Sequence, residues 1–96
     1  MLTKKHDDFL IESLKDPVEI KAYLNAALSD AFDEGDYRLF LVALRDVALV
    51  SGMGKIASKA KLNRENLYKM LSDKGNPEFS SLWLLLKTMD VKLSVV

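Results

Sequence analysis

Apolar positions recur at helical spacing through most of this chain, and at strand spacing only near its end. Phe9, Leu10, Ile11 and Leu14, set among Asp7, Asp8 and Glu12, predict a short helix or a docking arm over residues 1–15. Asp16-Pro17-Val18-Glu19 is a helix start: Asp caps, Pro takes the first helical position, and Glu stands at the capping-box site. From there Ile20, Leu24, Ala27 with Leu28, and Ala31 mark one buried face of a helix running to about Glu34, which Gly35 ends. Asp36 then caps a helix from Tyr37 to about Val50. Its apolar residues lie nearly all round, interrupted only by Arg45 and Asp46, so it belongs at the centre of the domain.

Beyond the break at Ser51-Gly52 come two short helical segments joined tightly, Lys55 to Ala60 and Arg64 to Leu71. Asn63 caps the second. Leu67 with Met70 or Leu71 forms its buried stripe, and Ala57 supplies the small contact that two steeply crossed helices need. Arg64, Glu65, Asn66, Tyr68 and Lys69 remain as long polar side chains, the kind that a helix in a DNA major groove presents to bases. Ser72 to Glu78 is dense in turn formers and reads as a surface loop, from which Lys74 and Asn76 could reach a phosphate.

A last helix starts at Ser80 or Ser81 and carries the stripe Leu82, Leu85, Leu86, Met89. Trp83 and Leu84 fall off that stripe and suggest a dimer or partner contact. The tail alternates apolar and polar residues from Val91 to Val95, a strand-like pattern that places Leu93 and Val95 on one side. It pairs with the arm near Thr3, adds across a two-fold to another chain, or frays; the sequence leaves all three open.

Ninety-six residues suffice for one domain with one core. The 49% hydrophobic and 29% charged composition is that of an ordinary globular protein. Cysteine is absent, which removes disulfides and cysteine zinc sites, and His6 stands alone, so no metal and no cofactor is expected. No apolar run is long enough to span a bilayer and the first residues lack a signal-peptide pattern, so the expected location is cytoplasmic, away from any membrane. One histidine, no cysteine and no glycine-rich phosphate loop argue against an enzyme. The formal net charge is zero, but unevenly spread: residues 1–51 carry six Lys and Arg against ten Asp and Glu, and residues 52–75 carry six against two. A basic block on the helix pair is the footprint of a DNA-facing surface.

The run Phe40 through Ala48, Gly52-Met53, Ala57, Ala60, Asn63 through Ser72 and Gly75-Asn76-Pro77-Glu78-Phe79-Ser80-Ser81-Leu82, with the upstream Asp16-Pro17 helix and Ala22 through Leu28, resembles the probable addiction module antidote protein family. These are bacterial antitoxins with a phage-repressor-type (Cro-like) helix-turn-helix, and the likeness spans about residues 16 to 93. It implies an all-α, lambda-repressor-like five-helix domain with an N-terminal arm (1–15), supporting helices (16–51), helix-turn-helix (52–72), and loop, last helix and strand-like tail (73–96). It further implies a homodimer that binds double-stranded DNA at an inverted-repeat operator, represses its own operon and neutralises a cognate RelE/ParE-like toxin. The DNA surface expected by position comprises Lys55, Lys59, Asn63, Arg64, Glu65, Asn66, Tyr68, Lys69, Lys74 and Asn76, with Gly54 and the Lys55 backbone also against a phosphate. Members usually carry Gly where this chain has Lys61, a place that favours positive φ, so strain is expected there. The alternatives are a protein-interaction module that has lost DNA binding and a stand-alone repressor without a toxin.

Overall fold

In the computed structural model, which describes residues 11–96, every regular element among the described residues is helical. Residues 11–13 are helical, and five complete helices follow: α1 (Pro17–Glu34), α2 (Arg38–Ser51), α3 (Met53–Lys59), α4 (Arg64–Met70) and α5 (Phe79–Thr88). His6 and the contacts expected near Thr3 lie outside the described residues.

Local chemistry explains most of the boundaries. Asp16 is extended and its carboxylate accepts from the Val18 amide at 2.9 Å, capping α1 beside the N-terminal proline. Glu19 accepts from the Ser13 hydroxyl at 3.5 Å. α2 begins one residue later than expected, with Tyr37 at its N-cap, yet Asp36 still accepts from the Arg38 amide at 3.0 Å and pairs with the guanidinium at 2.8 Å. That hydrogen-bonded partner holds the Asp36 carboxyl below its usual range.

Three helices end in the same hydrogen-bonded cap, a residue of positive φ with the next amide reaching back five residues. At α1 this residue is Gly35 (φ 67), and Asp36 N–H donates to Ala31 O at 2.9 Å. At α3 it is Lys61 (φ 55), where Leu62 N–H donates to Ala57 O at 2.8 Å. At α5 it is Asp90 (φ 58), with Val91 N–H donating to Leu86 O at 2.8 Å. Only the first uses glycine, so Lys61 and Asp90 carry backbone cost of the kind expected at Lys61.

α2 supplies the centre of the core through Phe40, Leu41, Ala43, Leu44, Val47 and Ala48, all buried. It is not covered all round, because Leu39 and Leu49 are exposed on its outer side. α1 adds Leu24 and Ala31, with Ile20, Ala27 and Leu28 partly buried, and Tyr23 ties it to α2 by donating to Asp46 at 2.5 Å. Burial and that carboxylate push the Tyr23 hydroxyl pKa well up. Met53, Ile56 and Ala57 of α3, Leu67 of α4, Leu71, and Leu85 and Leu86 of α5 complete one contiguous cluster.

Two expectations about the C-terminal part need correction. α5 starts at Phe79 with Glu78 as an N-cap that makes no side-chain bond, so neither Ser80 nor Ser81 caps it. Residues 91–96 form no strand; past the cap at Val91 they pair with no described backbone, and Val95 and Val96 are fully exposed. Alternation signals a strand only where a neighbour supplies the ladder, and none of the described residues does.

Candidate nucleic-acid interface

α4 has seven residues, too few to hold a helix in water unaided, so its position depends on how it is anchored. Leu67 and Leu71 are both 0% exposed, and burying a leucine contributes about 2 kcal/mol. The N-terminal end is fixed by Asn63, whose side-chain oxygen accepts from the Glu65 amide at 2.8 Å. Capping therefore occupies the oxygen of Asn63 and leaves only its amide nitrogen for any outside contact.

The C-terminal end is fixed by the following loop. Ser72 donates its hydroxyl to Lys69 O at 2.9 Å, and Gly75 is buried against the end of the helix. A Cβ at Gly75 would lie 2.2 Å from Met70 O, so glycine is required there by close approach rather than by positive φ. Tyr37 donates to Gly75 O at 3.0 Å, tying the loop back to the start of α2.

With both ends fixed, Arg64, Glu65, Asn66, Tyr68 and Lys69 are all exposed, and no described segment covers them. Successive helical residues turn by about 100°, so Arg64 and Tyr68 stand in one row and Glu65 and Lys69 in the next. The Arg64 guanidinium lies 5.7 Å from the centroid of the Tyr68 ring, a cation–π contact that holds the arginine extended over the helix surface. Asn66 falls about 160° from Arg64, at the opposite edge of the exposed arc. The residues expected to read bases thus share one open side, with Glu65 and Lys69 between the Arg64 and Asn66 flanks.

Lys55 and Lys59 fall on the exposed side of α3, away from buried Met53, Ile56 and Ala57, and Lys74 and Asn76 are exposed in the loop. None of Lys55, Lys59, Lys61, Arg64, Lys69 and Lys74 lies within ion-pair distance of a described carboxylate; the ion pairs Lys15–Glu12 and Arg38–Asp36 are on other elements. This side of the molecule consequently carries positive charge that no described partner neutralises.

The residues expected at a dimer or partner contact separate into two places. Trp83 (58% exposed) and Leu93 line one cleft with Leu86, Lys87 and Val91, between α5 and the tail. Leu84 and Val95 are exposed but outside it. Phe79, unremarked in the sequence, stacks on Trp83 with ring centroids 5.7 Å apart and widens the apolar surface. Its i, i+4 spacing to Trp83 was the available signal. Among the described residues there is no group of three or more His, Asp or Glu able to hold a metal ion, and no helix is long and apolar enough to cross a membrane.

A family model described as "Probable addiction module antidote protein" matches residues 4–96. An uncharacterized protein of Haemophilus influenzae (strain ATCC 51907 / DSM 11121 / KW20 / Rd) is 37% identical over 95 residues, covering 98% of this chain and 94% of the relative. No solved structure matches the chain.

Proposed function

This chain belongs to the probable addiction module antidote protein family, and from that membership we propose that it is the antitoxin of a toxin-antitoxin pair that also binds DNA and represses its own operon. In this reading residues 1–96 act as a single lambda-repressor-like helix-turn-helix domain, with α3 and α4 as the motif. α4 lies in the major groove. Arg64 contacts guanine from one flank and Asn66 adenine from the other, each bidentate contact contributing about 1–3 kcal/mol of discrimination. Glu65 accepts from cytosine or favours the helix start. Tyr68 braces Arg64, Asn63 sets the helix start, and Lys55, Lys59, Lys69, Lys74 and Asn76 contact phosphates.

The observation that carries the reading is the open cationic side of a helix anchored at both ends by Asn63 and Gly75. A homodimer through the Phe79–Trp83 surface and the tail fits the exposed apolar area there, and it makes the operator an inverted repeat with half-sites about one helical turn apart. The partner protein is a RelE/ParE-like toxin, the pair works in the cytoplasm, and the chain acts by binding rather than by turnover. Fluorescence anisotropy on a DNA fragment upstream of its own gene tests the reading. Arg64→Ala should cost about 1–3 kcal/mol per half-site and relax preference at one base position. Equal affinity of the wild-type chain for that fragment and for scrambled DNA refutes it.

A further inference from the structure

The basic side leaves one prominent feature unused. Phe32, near the end of α1, is 87% exposed, and beside it runs an apolar groove lined by Leu28, Ala31, Tyr37, Pro77 and Leu82. A phenylalanine standing almost wholly in water next to an open apolar groove gains nothing for this chain's own folding.

The charges around it are equally costly to the isolated chain. Asp30, Asp33 and Glu34 crowd the last turns of α1, whose final turn holds no basic residue. A helix C-terminus carries partial negative charge, so carboxylates there oppose the helix dipole. Asp36 is paired by Arg38, whereas no described cation lies within ion-pair distance of Asp30, Asp33 or Glu34. Residues 30–36 hold four carboxylates and no Lys or Arg. Sequence features that cost local stability without return inside the chain mark a surface built for something outside it.

We propose that this groove is where the cognate toxin docks, through a cationic segment that places an apolar side chain against Phe32 and its Lys or Arg side chains on Asp30, Asp33 and Glu34. The assignment rests on the antitoxin reading and deepens it by naming the surface and the chemistry of the segment it takes. Charge selects the occupant. The groove's carboxylates repel an acidic or nucleic-acid ligand and favour a basic protein, while an uncharged apolar partner would leave them desolvated and unpaired. The site is separate from the exposed side of α4, so toxin docking leaves Arg64, Glu65 and Lys69 uncovered. The two surfaces meet only through the 75–77 loop, where Tyr37 holds Gly75 and where Asn76 also lines the groove.

The test measures binding of the purified chain to the purified product of the reading frame adjacent to its gene, by calorimetry or biolayer interferometry. Phe32→Ala should weaken the complex at least about tenfold. The triple variant Asp30→Asn, Asp33→Asn, Glu34→Gln should slow association and flatten its salt dependence. Both should keep wild-type thermal melting, since the altered side chains are exposed, and both should keep DNA affinity. A wild-type complex that neither variant weakens overturns this site while the antitoxin reading stands. Absence of any complex with the wild-type chain overturns that reading and the site with it. Loss of self-association in Phe32→Ala, seen by sedimentation, would give the groove to a second copy and overturn the toxin assignment.

Discussion

Replacing Lys61 tests the turn that sets α4 on α3. Lys61 occupies the left-handed region at φ 55, where its Cβ crowds the carbonyl oxygen, and its N–H donates to Ser58 O at 3.2 Å. A non-glycine residue in that conformation costs about 1–2 kcal/mol. Lys61→Gly removes the cost but loosens the unfolded chain by about 0.4–1 kcal/mol, so the net expectation is a gain of about 0.5–1 kcal/mol. For a domain of this size that raises the melting temperature by about 2 to 8 °C. Lys61→Ala deletes the charge and keeps the Cβ, so it should give no such gain. The comparison of Gly with Ala therefore isolates backbone strain from charge. Thermal and urea unfolding followed by circular dichroism supply the readout, with the urea slope unchanged. If Lys61→Gly melts no higher than Lys61→Ala, the strain argument is wrong.

Gly75→Ala should have the opposite sign: its Cβ would lie 2.2 Å from Met70 O. Forcing that backbone apart should cost about 1–3 kcal/mol in urea unfolding. Asn63→Ala should lower stability by about 1 kcal/mol and weaken DNA binding as α4 frays, measured by unfolding and anisotropy on the same sample. Tyr23 gives an alkaline signature. Its unfolded hydroxyl ionises near 10.0 while the folded one holds its proton to higher pH, so stability should fall as pH rises above that value. Tyr23→Phe should flatten that limb in pH-dependent melting. Trp83→Ala should weaken self-association on the order of thirtyfold in sedimentation equilibrium if α5 forms the dimer contact.

The features legible in the sequence were those set by neighbours a few residues away. Asp16 and Asn63 each cap the helix that follows with a bond spanning two residues, so residue type and position suffice. The stripes of α1, α4 and α5 emerge from spacing alone, as does the exposure of Trp83 and Leu84. Features that depend on distant partners were hidden. Gly75 looks like any loop glycine until Met70 O is found against it, and Tyr37 shows no sign of its bond to Gly75 O, thirty-eight residues away. Phe32 follows directly on the stripe residue Ala31, and only the three-dimensional course of α1 shows that it is left outside the core. The tail misled because a period of two is a property of the segment, while a strand is a property of a pair.

Salt dependence of binding to the chain's own upstream DNA tests the central claim most directly. Lys55, Lys59, Lys69 and Lys74 from each of two copies should give a slope of log affinity against log salt of about −7, made shallower by about 2 in Lys69→Ala. A slope near zero, or one that Lys69→Ala leaves unchanged, would contradict the assignment of the α4 side as the DNA-binding surface.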